Sequence, residues 1–131
     1  MKKIVYLNIF LFIFLFLSFH VHAKKIPNLI GEWEGENIKS TLKKGFVKSR
    51  NVVEITDQNN RLFRGHVIHK GGKEAFVGVI KSDLKGFFWA DSSDDDGKVI
   101  GTIIKKNKIE TCYLDSGKDA IAGCSILIKK D

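Results

Sequence analysis

Residues 98–130 read KVIGTIIKKNKIETCYLDSGKDAIAGCSILIKK, and the fold follows from how this stretch is divided. Lys106-Asn107 and Ser116-Gly117-Lys118-Asp119 are turn chemistry, and they separate three short runs rich in Ile, Val and other β-formers. The runs predict strands over 98–105, 108–114 and 120–129, joined by hairpins too short for any crossover. A hairpin centred near Lys118 sets Cys112 opposite Cys124, within reach of a disulfide. These are the two cysteines of the chain. The bond would close a loop of about a dozen residues and staple the last hairpin. C-x-x-C spacing is absent and no His lies nearby, so a redox or zinc role is not expected.

The same grammar extends upstream. Strands are expected over 29–36, 46–56, 61–69, 74–81 and 84–90. Their separators are Asp57-Gln58-Asn59-Asn60, Lys70-Gly71-Gly72, Ser82-Asp83 and 92–97. Residues 37–45 (NIKSTLKKG) read either as loop or as part of the second strand. No segment sustains a 3.6-residue apolar period, so little helix is expected. The fold class is therefore all-β, an eight-stranded antiparallel up-and-down meander that closes into a barrel and so removes its edges.

Glycine supplies the register. Gly31, Gly35, Gly65, Gly78, Gly86, Gly101 and Gly123 fall inside the expected strands. Interior glycines weaken a strand unless tight coiling or close packing requires them, as in a small barrel. Residues two apart share a face. Taking the glycine face as interior turns Trp33, Val53, Ile55, Phe63, Val67, Phe76, Ile80, Phe88, Val99, Ile103, Ile109, Tyr113, Ile121 and Leu127 inward. Glu32, Glu34, Glu36, Arg64, His66, Lys85 and Thr102 then point outward. Val77, Val79, Phe87, Trp89, Ile100 and Ile104 also fall outside, an apolar patch over three successive strands. Such a patch marks association, and a homo-oligomer through it is expected unless a register slip turns some of these residues inward.

The N-terminus sets the compartment. Lys2 and Lys3 precede an apolar run over 4–19, and Val21-His22-Ala23 supplies a small-residue cleavage pattern. The run is shorter than the ~20 residues of a spanning helix. The expectation is a signal peptide over 1–23, a single domain over 24–131, no integral membrane segment after cleavage, and a periplasmic or secreted protein. Loss of Lys2 and Lys3 lowers the formal net charge from +7 to +5. The lysines are dispersed and not interleaved with stacking aromatics, so no specific nucleic-acid binding is expected.

Gly31-Glu32-Trp33 opens the first strand, and here the chain resembles the calycins: lipocalins, fatty-acid-binding proteins and avidins. The resemblance implies that Gly31 and Trp33 plug the closed end of the barrel beneath a basic residue of the last strand, Lys129 or Lys130. Cys112-Tyr113-Leu114 and Ala122-Gly123-Cys124 are similar to segments of small secreted bacterial proteins. Biotin is not the implied ligand. The stretch after Trp33, Glu34-Gly35-Glu36-Asn37-Ile38-Lys39-Ser40, lacks the avidin polar set, and only Trp33 and Trp89 exist to sandwich a ring.

Chemistry-bearing motifs are sparse. Residues 91–97 (DSSDDDG) fail as an EF-hand loop, because counting from Ser92 puts Ile103 where the bidentate Glu belongs. His66 and His69 project to opposite faces of one strand. No metal, no cofactor and no catalytic residue are expected, and the protein reads as a non-enzyme. The leading function is capture of a small apolar or amphipathic ligand at the open end, lined by Phe63, Phe76, Phe88 and Tyr113. The alternative is a protein-interaction module, an inhibitor or assembly factor, acting through its loops or the apolar strand face.

Overall fold

The computed structural model describes residues 24–93 and 96–131. The expected signal peptide lies outside the described residues. Eight strands follow in order: β1 (Gly31–Thr41), β2 (Gly45–Asn59), β3 (Leu62–His69), β4 (Gly72–Ile80), β5 (Gly86–Asp91), β6 (Lys98–Lys105), β7 (Lys108–Asp115) and β8 (Ile121–Lys129). Each pairs antiparallel with the next, and β8 pairs back with β1, closing the barrel. Among the described residues no helix is long and apolar enough to cross a membrane.

The stretch over 37–45 resolves into strand and turn. β1 runs on to Thr41, and Gly45 opens β2 with φ 66°, a left-handed conformation that glycine adopts without strain. Lys44 N–H donates to Thr41 Oγ1 across this turn at 2.8 Å. At the far end of β2 the strand continues through the expected turn at 57–60, because a bulge absorbs one residue. Ile55 pairs with Gly65 but Asp57 pairs with Arg64, leaving Thr56 unpaired. The bulge changes the phase, so Gln58 shares Phe63's inward register.

The interior is a continuous apolar core. Trp33, Val53, Ile55, Phe63, Phe76, Ile80, Val99, Ile109 and Leu127 are buried as the glycine register requires. On β5 that register fails. Phe87 and Trp89 are 0% and 4% exposed, while Phe88 is 43% exposed. Phe87 and Trp89 are therefore core residues and not part of an outer patch, and Phe88 stands outside and lines no interior site. The reason lies across the strand. Phe87 pairs with Gly101 and Trp89 with Gly78, and a Cβ on Gly101 would overlap the Phe87 ring. The Phe87 ring needs the missing side chain of Gly101 opposite it, while the space at Gly78 is taken by the Phe63 ring. Gly86 is the outward exception, and the Lys81 side chain lies against it.

Four rings fill the middle of the barrel. Phe63 meets Phe76 and Phe87 edge to face at 6.1 and 5.8 Å, and Trp89 stacks on Phe76 and Phe87 at 4.6 and 5.7 Å. Such pairs stabilise by about 0.5–1.5 kcal/mol each beyond the area they bury. Outside, Cys112 and Cys124 form the disulfide, with Cα atoms 4.1 Å apart on facing positions of β7 and β8.

Candidate functional site: the open end of the barrel

The two ends of the barrel differ in chemistry. At the end where β1 begins, Leu29 is buried and its carbonyl accepts from Trp33 Nε1 at 2.8 Å. Gln58, brought inward by the bulge, accepts from Leu29 N–H and donates to Pro27 O, both at 2.8 Å. The segment before β1 is thus tied across the barrel. Lys129 pairs with Trp33 in the β1–β8 ladder and holds its Nζ 5.5 Å from the indole centroid. Its side chain crosses the space that a Cβ on Gly31 would occupy. Gly31, Trp33 and Lys129 therefore meet at this end. Lys130 turns outward and binds Glu32 at 3.2 Å and Glu34.

The opposite end is open and polar. A cavity of about 160 Å³ is lined by residues that include Asn37, Lys39, Asn51, Glu74, Asp91 and Tyr113. Trp89, Val99, Thr111 and Ser125 complete much of the lining. Among the described residues Thr111 and Ser125 are the buried polar ones. Asn51 Nδ2 donates to Ser125 Oγ at 3.1 Å, across strands that are not neighbours. Glu74 lies 3.3 Å from His69 Nε2 at the rim. Asp91 accepts from Ser93 N–H at 3.2 Å and from Ser93 Oγ. Among the described residues Lys39 has no ion pair, and Trp89 buries its Nε1 with no hydrogen-bond partner. A volume near 160 Å³ equals about five waters at ~30 Å³ each, so the space suits a small molecule.

This geometry redistributes the expected ligand lining. Phe63 and Phe76 pack against each other in the core, 4% and 3% exposed. Phe88 is outside, and Tyr113 alone of the four lines the cavity. The apolar half of the interior is occupied by side chains. The polar residues of the mouth were nonetheless written in the register: Asn37 and Lys39 continue the parity of Trp33, Asn51 that of Val53, Thr111 that of Ile109, Ser125 that of Leu127. Following the inward face past its last apolar residue would have found them.

The outer face carries a second feature. Leu62, Val79, Phe88, Ile100, Cys112, Cys124 and Ile38 are successive cross-strand partners around β3 to β1. Val77, Val79, Ile100 and Ile104 of the expected patch are outside, with Phe88 in place of Phe87 and Trp89. A shallow, mainly apolar groove of about 940 Å³ runs over this region. On β1 and β2 the outer face is instead ionic: Arg50 binds Glu34, and Lys48 binds Glu36 at 3.2 Å. Arg50, then Lys130, hold the Glu34 carboxyl down to about 2.

Among the described residues, no group of three or more His, Cys, Asp or Glu is arranged to hold a metal ion. No protein-family model matches the sequence, and no curated protein matches it. Among solved structures the chain is similar to a redesigned β-barrel, with a TM-score of 0.50 and 14% identity. The match covers 79% of this chain and 92% of that one. At that identity the likeness is one of fold, a closed β-barrel.

Proposed function

We propose that this chain is an exported, non-catalytic binding protein that holds a small polar molecule in the open end of its barrel. The observation that carries the reading is the mouth cavity, a roughly 160 Å³ space walled by polar and charged side chains above a filled aromatic core. Eight-stranded barrels are either filled or hold one small ligand, and here the two conditions divide the interior between them. A calycin-type arrangement, with Trp33 plugging one end and the other left to ligand, is consistent with this division. The expected apolar or amphipathic ligand gives way to a polar one, because Phe63, Phe76, Phe87 and Trp89 already occupy each other's apolar surface.

Native mass spectrometry of the chain over 24–131, incubated with a small-molecule extract, tests the reading. A discrete low-mass adduct is expected. It should vanish in Ile121→Trp, which places a large ring at the half-buried mouth position. An adduct that survives that substitution, or no adduct at any extract concentration, would overturn the proposal.

The outer row favours a second reading, association of two copies. Leu62, Val79, Phe88 and Ile100 form one cross-strand row, between 37% and 62% exposed, with the Lys81 ammonium 5.9 Å from the Phe88 ring centroid at its edge. Exposed contiguous apolar surface of this kind marks interaction faces.

A further inference from the structure

We propose that the Cys112–Cys124 disulfide is a site of reversible thiol–disulfide exchange, and that its reduction by an external dithiol loosens one wall of the mouth cavity. The exchange and the loosening stand on the position of the bond. Their consequence for a ligand rests on the open-end reading above.

The spacing of the two cysteines carries no redox signature. What points to exchange is where the fold puts them. Cys124 is exposed on the outer face and Cys112 is half-buried beside it, so a thiolate approaches from solvent without opening the barrel. Exposed disulfides are the labile and regulatory ones, whereas structural disulfides of secreted proteins resist reduction. The fold also has other means of holding these strands. The β7–β8 ladder runs from Lys108–Ile128 to Asp115–Ile121, and β8 is held on its far side by β1. Both redox states can therefore keep the barrel closed, as a reversible site requires.

The exchange takes two steps. A thiolate of the dithiol attacks Cys124 Sγ, the Sγ–Sγ bond breaks, and Cys112 leaves as a thiolate that takes a proton. The second thiol of the dithiol, deprotonated, then attacks its own sulfur in the mixed disulfide and releases Cys124, which is protonated in turn. Two electrons pass to the protein, and the dithiol is left as a disulfide.

Coupling to the mouth follows from strand alternation. Cys112 stands between Thr111 and Tyr113, and Cys124 between Gly123 and Ser125, and all four of these neighbours line the cavity. On β1, Cys124 faces Ile38, whose neighbours Asn37 and Lys39 line it as well. The bond thus fixes from outside the spacing of strands whose inner face is the cavity wall. It holds the two Cα atoms 4.1 Å apart, and unbridged facing residues lie about 4.5–5.5 Å apart. Cleavage lets that wall widen. Ser125 Oγ accepts from Asn51 Nδ2 at 3.1 Å, so a shift of β8 is carried to β2, two strands away.

The test needs no ligand. The ¹⁵N-labelled chain over 24–131, with its disulfide formed, is treated with dithiothreitol in the absence of denaturant, and iodoacetamide followed by mass measurement counts the thiols released. Two alkylated cysteines are expected. The Asn51 side-chain amide, assigned by Asn51→Ala and remote in sequence from either cysteine, should shift and exchange with solvent several-fold faster. Trp33 Nε1–H, bonded to Leu29 O at the closed end, should stay fixed and reports that the barrel is intact. Cys112→Ser/Cys124→Ser should show the reduced Asn51 signal without reductant and no further response to it. If that variant does not fold, reduced and reoxidised wild type make the same comparison. A bond that yields only when denaturant unfolds the chain, reduction that collapses the Trp33 signal, or reduction that leaves Asn51 unmoved would each overturn the proposal. The adduct lost in Ile121→Trp reports separately on open-end binding.

Discussion

Gly65 faces the backbone carbonyl of Glu54 so closely that a Cβ would overlap it. The obstacle is main chain in the neighbouring strand, so no rotamer change relieves it. Gly65→Ala is expected to destabilise the barrel by about 1–3 kcal/mol, the usual cost of overpacking, read as a lowered urea midpoint at unchanged slope. Trp33→Phe tests a different cause. It retains an aromatic plug but leaves Leu29 O without its donor, and a loss of about 1–3 kcal/mol is expected for the orphaned carbonyl. Equilibrium unfolding of Trp33→Phe beside Trp89→Phe separates the satisfied indole from the unsatisfied one. Removing Trp33 Nε1 breaks a bond, whereas removing Trp89 Nε1 removes a buried group that has none.

The charged seam of β1 with β2 and β8 governs the acid response. Arg50 and Lys130 lower the Glu34 carboxyl from an ordinary 4.5 to about 2, and Glu34 in turn raises both cations. A carboxylate whose folded value is depressed stabilises the fold fully above its unfolded value, and that contribution fades as pH falls toward the folded one. Stability is therefore expected to fall between pH 4.5 and about 2. In Glu34→Gln that part of the slope should flatten, measured by thermal melts across the range. The last hairpin makes a separate contribution. With a sequence separation of 12, removal of the bond in Cys112→Ala/Cys124→Ala should cost about 3 kcal/mol on the chain-entropy model, checked by denaturant unfolding. The hairpin itself should persist, since its ladder runs on from Lys108 to Asp115.

For the molecule as a whole, the outer surface is divided between an ionic side on β1 and β2 and an apolar side centred on β4 to β6. If the apolar side joins two copies, sedimentation velocity should show a concentration-dependent dimer that Phe88→Ser/Ile100→Ser converts to monomer. A monomer at all concentrations would leave that face to other uses and remove the second reading. The expected patch named Phe87 and Trp89, and the same experiment on those positions would disrupt the core instead.

The sequence by itself determined the meander, its eight strands and the pairing of Cys112 with Cys124, because hairpin turns and period-2 alternation are local and their chemistry is written in adjacent residues. It also determined most of the inward face, from Trp33 to Leu127. Tertiary structure decided the rest where distant strands compete for one volume. On β5 both faces are apolar, so alternation carried no preference, and the choice fell to Gly101 on the flanking strand, which leaves room for Phe87. The bulge at Thr56 gave Gln58 its inward role through a change of phase that no composition marks. The site depended on closure as well. Lys39, Glu74 and Asp91 are far apart along the chain, and they face one cavity only because β8 returns to β1 and brings the strand ends into a ring.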